Sequence, residues 1–155
     1  MTYCVGIKTH AGLVFLSDSR TSAGMDSIAS FRKALVYEQP GERFMTLLSA
    51  GNLSISQCVR EILQSEKLPA EDGGEPLTIW NASSMYDAAR VLGEAIRRVR
   101  ARDGAALAQD NIEFNASFIF GGQIKGEPMR LFLVYAAGNF IEATCDTPFF
   151  QIGES

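Results

Sequence analysis

Thr2 is the first residue whose type and position could carry out chemistry. If the initiator Met1 is removed, Thr2 opens the chain with a free α-amine whose reference pKa is about 7.7–8.0. A threonine hydroxyl is a poor nucleophile without a base beside it, and this amine can take its proton near neutral pH. A small side chain at position 2 permits removal of Met1. Because many chains begin Met-Thr, the prediction depends on neighbouring residues.

A predicted β-hairpin places two charged residues near Thr2. Residues 2–9 and 13–18 have strand-like patterns, and the His-Ala-Gly between them predicts a three-residue loop. In that register Thr2 faces Arg20, and Asp18 lies on the diagonal from Thr2 on the same face of the sheet. The alternative interpretation is that the Asp-Ser-Arg sequence is only a polar strand end.

Lys33 and Gly51 add two electrostatic groups to the hypothesis. An ammonium near a developing alkoxide lowers the free energy needed to form that negative charge, and Asp18 could keep Lys33 charged. The alternative is that Lys33 and Arg32 form a solvated basic pair. Gly51 lies at a predicted strand-to-helix junction, where backbone amides and the helix dipole favour negative charge and suit an oxyanion hole. A turn that needs glycine for its conformation would explain Gly51 equally well.

The elements that must position these residues are strands at both ends of the chain and two helices between them. Strands are predicted at 35–37 and 43–49, and a helix begins at Leu53, where apolar residues repeat every three or four positions. A second helix begins near Ser84, which resembles a capping box with Asp87. The last third returns to short strands, at 116–123, 129–136, 139–144 and 149–152. This order predicts an α+β fold with layered packing.

Composition limits the class of protein. The 155 residues fit a single domain spanning 1–155, and a net charge of −4 argues against binding to nucleic acid or to a membrane surface. No apolar run approaches the ~20 residues needed to span a bilayer, and the first residues do not resemble a signal peptide. Three cysteines without a Cys-x-x-Cys pair predict free thiols in a reducing cytoplasm, and a single histidine leaves little material for a zinc site.

Two other chemical interpretations are weaker. Cys4 and His10 could form a thiol dyad, but His10 is predicted in the hairpin turn, far from the partner of Cys4. Five arginines between positions 90 and 102 could suggest nucleic-acid binding, but acidic residues are interspersed with them. A solvated helix face or a contact between subunits explains these arginines better.

In combination, these residues resemble the proteasome family, whose pattern is an opening threonine, an Asp-x-Arg, a downstream lysine and an Ala-Gly turn before the first helix. The chain is most similar in motif to the bacterial Anbu (ancestral β subunit) group. The segments that carry this resemblance are T-Y-C-V-G-I, S-D-S-R-T-S-A-G, G-G-Q-I-K-G-E-P and Y-A-A-G-N-F-I-E-A-T. Together they extend over essentially the whole chain.

The resemblance implies an N-terminal-nucleophile hydrolase fold, a four-layer αββα sandwich, and peptide-bond hydrolysis through an acyl-enzyme on Thr2 without a cofactor. It further implies a homo-oligomeric ring or spiral in the cytoplasm that acts on peptides or unfolded proteins. Asp18 and Lys33 would tune the nucleophile, Arg20 would support it, and Gly51 would donate an oxyanion N–H. Backbone groups of Thr21 and Ser22 would pair with an extended substrate. Whether an ATPase partner exists is left open.

The chain departs from the family pattern in three ways. Lys33 is one residue nearer to Thr2 than is usual, and no propeptide precedes Thr2, so removal of Met1 would be the only activation step. The chain also ends at Ser155, where family members continue, so a C-terminal part is expected to be missing. Ser155 or Glu154 would occupy the place of a serine that supports the threonine amine. Two alternative functions remain: a catalytically silent, ring-forming or peptide-binding subunit, and a small-molecule amidase of the same fold.

Overall fold

Strands near both ends of the chain pack together, with two helices against one side. The computed structural model describes residues 2–22, 28–30, 32–65, 67, 69 and 72–153, and for 20–22 and 28–30 it describes the backbone. Within these ranges the elements are β1 (Tyr3–Lys8), β2 (Leu13–Ser17), β3 (Arg20–Ser22), β4 (Ile28–Ser30), β5 (Ala34–Gln39), β6 (Arg43–Gly51), α1 (Leu53–Ser65), α2 (Met85–Gln109), β7 (Ala116–Ile124), β8 (Arg130–Val134), β9 (Phe140–Glu142) and β10 (Phe149–Gly153).

The strands form antiparallel sheets of unequal size. Five strands make the larger sheet in the order β5-β6-β7-β8-β9, and three make the smaller one in the order β10-β1-β2. β3 and β4 form a separate two-stranded pair. β1 therefore lies between two partners, and one of them is the last described strand of the chain.

The helices cover one face of the larger sheet and the smaller sheet covers part of the other, which explains its apolar sequence. Side chains alternate along a strand, so Phe118 and Phe120 of β7 pack against the helices, while Ile119 packs against the smaller sheet. β6 divides in the same way, with Leu47 on the helix side and Leu48 on the side of the smaller sheet. One core therefore lies between helices and sheet, and a second lies between the two sheets.

The two helices begin where the sequence predicts. α1 follows Asn52, whose Oδ1 accepts a hydrogen bond from the Ser54 amide at 2.9 Å. α2 follows Ser84, whose Oγ accepts from the Asp87 amide at 3.1 Å. These caps satisfy amides that the first turn of a helix leaves without partners. Neither described helix combines the length and apolar composition that crossing a bilayer requires.

The α+β class and the layered packing of the predicted sandwich are confirmed. Helices, larger sheet and smaller sheet form three successive layers. In the described part of the chain no helix covers the outer face of the smaller sheet, where apolar side chains are exposed. These are Tyr3, Ile7, Val14, Leu16 and Phe149.

The predicted register of the first hairpin is wrong by one residue, and Asp18 therefore lies opposite Tyr3 instead of on the diagonal from Thr2. Lys8 pairs with Leu13, and the Thr9 amide donates to the Gly12 carbonyl, so the loop has two residues instead of three. The Thr9 hydroxyl oxygen accepts hydrogen bonds from the Ala11 and Gly12 amides, at 3.2 and 3.1 Å. These bonds stabilise a tight turn in which Thr9 lies opposite Gly12, whereas the predicted loop placed Thr9 opposite Leu13.

Candidate active site

Residues of the predicted site lie where strands of both sheets end. Thr2 precedes β1 and Asp18 follows β2, which is antiparallel to β1, so both lie at the same end of the smaller sheet. Lys33 precedes β5 and Gly51 ends β6, which is antiparallel to β5. An ion pair of 2.8 Å between Asp18 and Lys33 joins these two ends. The fold thus brings Thr2, Asp18, Lys33 and Gly51 to one region.

Asp18 connects the start of β1 to Lys33. Its Oδ1 accepts a hydrogen bond from the Tyr3 amide at 2.9 Å, and its Oδ2 accepts from Lys33 Nζ at 2.8 Å. The Asp18 amide in turn donates to the Tyr3 carbonyl at 3.1 Å. Burial raises the pKa of Asp18, but hydrogen bonds from Lys33 and the Tyr3 amide outweigh it and lower the pKa below its ordinary value. Asp18 is therefore a carboxylate at neutral pH.

Lys33 is a buried cation, with only 6% of its side chain exposed. A buried charge is costly unless it is paired, and Asp18 provides that pairing. The Lys33 carbonyl also accepts a hydrogen bond from the Ser49 amide at 3.3 Å, which extends the β5–β6 pairing by one position. The alternative of a solvated basic pair is therefore wrong for Lys33.

Thr2 is held from the side of β10 as well. Tyr3 pairs with Gly153, which has a φ of +120°. A β-carbon at Gly153 would overlap the carbonyl group of Thr2. Only glycine combines this backbone angle with so close an approach, so β10 and Asp18 hold the chain around Thr2 from two sides.

Gly51 requires glycine for a structural reason, and strand alternation directs its amide towards the β5 side of β6. Its φ is +102°, and a β-carbon would lie 2.5 Å from the Asn115 carbonyl oxygen. The Asn52 amide donates to that carbonyl, at 2.8 Å. Amides of successive strand residues point to opposite edges, so the Gly51 amide points to the edge from which Ser49 donates to Lys33. The two explanations of Gly51 are thus compatible.

The remaining predicted residues are described only in part. Thr21 and Ser22 lie on β3, opposite Ala29 and Ile28 of β4. Among the described residues β4 is the strand that pairs with β3. Arg20 begins β3, and its side chain lies outside the described part of the chain. Met1, Glu154 and Ser155 also lie outside it, so the predicted support of Thr2 by Ser155 stays a prediction.

Sequence reasoning missed Arg60 of α1. Its guanidinium donates to the carbonyls of Arg32 and Lys33, at 3.0 and 3.3 Å, and to Ser49 Oγ at 2.5 Å. The sequence held one indication of these contacts: Arg60 lies one turn after Ser56, which is buried on the inner face of α1. That spacing could have placed Arg60 near the sheet, but not beside Lys33.

A thiol dyad of Cys4 and His10 is excluded by geometry. Cys4 is fully buried between the sheets, with Sγ 3.8 Å from the Ser49 carbonyl oxygen. Burial, helped by the Asp18 charge, raises the pKa of its thiol to about 11. His10 is exposed in the hairpin turn at the other end of β1. Cys4 is therefore a core residue in its thiol form.

Arginines of α2 make structural contacts with neighbouring segments. Arg97 Nε donates to the Ala137 carbonyl at 3.1 Å, and the Arg100 guanidinium lies over the Phe114 ring at 5.4 Å. Arg90 forms an ion pair with Asp87 on the same helix. These contacts favour a structural interpretation of the basic segment. In the same described ranges, no cluster of three or more His, Cys, Asp or Glu side chains could hold a metal ion.

Two packed antiparallel sheets, a helix pair on the larger one, and strand ends that meet around Thr2 define a proteasome-related fold. Comparison with solved structures makes this more specific. An Anbu (Gly-1) mutant from Hyphomicrobium sp. strain MC1 is 50% identical with a TM-score of 0.84, and this chain aligns over 100% of its own length and 62% of that protein. Over essentially its whole length, the chain matches Anbu (ancestral β-subunit) proteins in both sequence and fold.

Two further Anbu structures agree. Anbu from Yersinia bercovieri is 48% identical with a TM-score of 0.83, and the alignment covers 99% of this chain and 61% of that one. The helical assembly of the Anbu complex from Pseudomonas aeruginosa has 48% identity, a TM-score of 0.84 and the same coverages. The chain thus spans about three fifths of the length of these relatives. No family model matches the chain, and no curated protein matches it.

Proposed function

We propose that the chain is a subunit of a threonine-type peptidase whose nucleophile is Thr2, exposed after removal of Met1. The observation that carries the proposal is the double hydrogen bonding of Asp18, which accepts from the Tyr3 amide at 2.9 Å and from Lys33 Nζ at 2.8 Å. One carboxylate thus links the residue after Thr2 to a buried ammonium. This arrangement supports the proposal because it favours a position for the Lys33 ammonium near Thr2, at the start of β1.

The chemistry that fits these groups is acyl transfer. The α-amine of Thr2 takes the proton of its own hydroxyl, and Oγ1 attacks the carbonyl carbon of a peptide bond. The Lys33 ammonium stabilises the developing alkoxide, and the Gly51 amide donates to the oxyanion. The Thr2 ammonium then returns the proton to the leaving amine as the C–N bond breaks. Water, with its proton taken by the same amine, then attacks the ester carbonyl, and the ammonium returns that proton to Thr2 Oγ1 as the ester C–O bond breaks.

The substrate class that fits is an extended peptide. β3, which contains Thr21 and Ser22, pairs with β4 along one edge, and a peptide on its other edge would extend this small sheet by β-strand addition. Folded proteins rarely offer such a strand, so short peptides and unfolded chains are the expected substrates. Free cysteines at positions 4, 58 and 145 fit a reducing compartment such as the cytoplasm.

We propose that this chain, like its relatives, assembles with further copies of itself. The Pseudomonas aeruginosa structure is a helical assembly of the Anbu complex. The present chain is 48% identical to 61% of that protein, and this likeness supports assembly of several copies here. Size measurement of the purified protein by light scattering tests this part of the proposal, and a strictly monomeric protein would contradict it.

The experiment that tests the catalytic proposal compares wild type with Thr2→Ala and Thr2→Ser. Intact-mass measurement first establishes that Met1 has been removed. Wild type is expected to cleave unstructured peptides and to react at Thr2 with a hydroxyl-directed electrophile such as a β-lactone. Thr2→Ala should lose both activities, while Thr2→Ser should retain the labelling, because serine keeps the hydroxyl and also permits removal of Met1.

Each contrary outcome identifies an alternative function. Retained Met1, or absence of both turnover and labelling after its removal, would favour a catalytically silent assembly subunit. Cleavage of non-peptide amides alone, in a panel that includes peptides, would favour an amidase. Full activity of Thr2→Ala would show that the nucleophile lies elsewhere.

A further inference from the structure

Arg60 reaches from α1 to the segment that carries the buried lysine. Its two terminal nitrogens donate to three oxygens: the carbonyls of Arg32 and Lys33, and the hydroxyl of Ser49. The shortest of these bonds, to Ser49 Oγ, is 2.5 Å. Arg60 therefore ties a helix to the beginning of β5 and to the end of β6 through one side chain.

Arg60 lies in an environment that disfavours a charged side chain, so solubility or packing alone does not explain its position. Its Nε is buried and has no hydrogen-bond acceptor among the described residues. Burial lowers the pKa of the guanidinium, and its three hydrogen bonds go to neutral oxygens. A desolvated cation with an unsatisfied N–H is costly, so its contacts with residues 32, 33 and 49 must compensate for that cost.

The contact with Lys33 is made through the backbone and leaves the ammonium to Asp18. Lys33 lies just before β5, so the strand ladder holds its backbone from one side, through the Ser49 amide at 3.3 Å. The Lys33 carbonyl also accepts from Arg60, and the preceding carbonyl accepts from the other terminal nitrogen. A planar guanidinium has its donors in a fixed geometry, so it restricts the orientation of both peptide groups.

We propose that Arg60 is a positioning residue that sets the place of the Lys33 ammonium relative to Asp18 and Thr2, acting through the Arg32 and Lys33 carbonyls. This inference rests on the proposed function of Lys33, but the placement of the ammonium against Asp18 can be measured without turnover. Arg60 itself touches neither Thr2 nor substrate in this mechanism.

The variants are Arg60→Met, which keeps much of the apolar stem, and Arg60→Lys, which keeps the charge but loses the fork of donors. Arg98→Met serves as the matched control, because Arg98 also donates to a backbone carbonyl, that of Lys67 at 3.3 Å, but from α2 and away from Lys33. Ser49→Ala removes one acceptor of Arg60 and should change the same measurements in the same direction, by less.

Two measurements are made on each folded variant. Carboxyl-carbon NMR follows the titration of Asp18, and the rate of Thr2 labelling by a β-lactone is recorded as a function of pH. In Arg60→Met the pKa of Asp18 is expected to rise towards its ordinary value, and the labelling rate to fall at least ~10-fold. Arg60→Lys is expected to recover thermal stability more fully than labelling, because one ammonium cannot hold both carbonyls.

The results separate this proposal from the proposed function. An unchanged Asp18 titration in folded Arg60→Met would overturn the positioning role, whether or not the protein is a peptidase. Absence of Thr2 labelling in wild type, with a shifted Asp18 titration in the variant, would overturn the peptidase proposal and leave the positioning role intact. If both Arg60 variants fail to fold, Ser49→Ala decides by the same titration, and no shift there would overturn the inference.

Discussion

Gly153 and Thr2 approach so closely that a β-carbon on Gly153 would overlap the Thr2 carbonyl group. This contact is the end of the β1–β10 ladder, where Tyr3 pairs with Gly153. On the other side of β1, the Tyr3 amide donates to Asp18. The residue proposed as nucleophile is therefore attached to a backbone that is held on both sides, an arrangement that favours preorganised chemistry.

Gly153→Ala is expected to destabilise the protein and to reduce labelling of Thr2. Alanine at a φ of +120° would be strained, and its β-carbon would displace the start of β1. We expect a loss of roughly 3 kcal/mol or more in the free energy of unfolding. Urea unfolding measures this loss, and labelling of the folded fraction measures the effect on Thr2.

The matched control for this substitution is Gly126→Ala. Gly126 also has a positive φ, of +82°, but nothing lies within 4 Å of a β-carbon placed there. Its replacement should cost only backbone strain, about 1–2 kcal/mol. Equal losses in the two variants would show that the approach of Gly153 to Thr2 does not constrain the strand.

Asp18→Asn should remove the carboxylate charge that lies 2.8 Å from the buried Lys33 ammonium. The amide oxygen of asparagine can still accept from the Tyr3 amide, but the Lys33 side chain is only 6% exposed and would lose the charge opposite it. Because the Asp18 side chain is 34% exposed, we expect a loss of about 1–3 kcal/mol, below the range for fully buried pairs. Asp87→Asn should cost less than about 1 kcal/mol, because its partner Arg90 is 44% exposed whereas Lys33 is buried.

The same variant should have a different pH dependence. The pKa of Asp18 is lower in the folded protein than its ordinary value of 3.8, so the unfolded chain binds this proton more tightly. The stabilisation is complete above the ordinary pKa and is lost as the pH falls through the folded pKa. Below about pH 4, the stability of wild type should therefore decline more steeply than that of Asp18→Asn. Parallel curves from urea unfolding at a series of pH values would contradict this assignment.

Alkylation should distinguish the cysteines sharply. Cys4 is fully buried and burial raises the pKa of its thiol to about 11, whereas Cys145 is exposed. Because the thiolate is the reactive form, iodoacetamide near pH 8 should modify Cys145 in the native protein and Cys4 only after unfolding. Peptide mass spectrometry measures both sites, and fast native modification of Cys4 would show that the two sheets separate readily.

Local signals made the helices predictable. The spacing of Ile55, Val59 and Ile62 repeats every three or four residues, and all three are buried on one face of α1. At α2 the side chain of Ser84 caps the first turn as the sequence suggested. Both signals depend on residues within one or two turns, where sequence and structure are closely coupled.

The hairpin register was not predictable by the same means. The sequence showed a Gly12 that could belong either to the loop or to the strand, and the decision lies with the Thr9 hydroxyl. By accepting from the Ala11 and Gly12 amides, it makes a tight two-residue turn more favourable than the longer loop. Asp18 consequently comes opposite Tyr3 instead of Cys4, one residue away from the predicted pairing.

Long-range contacts explain the rest of what sequence reasoning missed. The contact of Arg60 with Lys33 joins a helix residue to a residue 27 positions earlier, and their proximity depends on the packing of α1 against the larger sheet. By contrast, the prediction that Asp18 and Lys33 interact came from charge complementarity, and their distance of 2.8 Å agrees with it. For this contact, the opposite charges of the two residues were informative, whereas the spacing of apolar residues gave no indication of it.

The central position of β1 has a consequence for biosynthesis. Thr2 leaves the ribosome first, but its strand pairs with β10, and the Tyr3 hydroxyl donates to Gln151 across 148 residues of sequence. Such non-local pairing must wait until the distant partner is available. A nascent chain therefore carries an unpositioned Thr2 until residues 149–153 emerge from the exit tunnel, so the site is assembled only after every other described element has been translated.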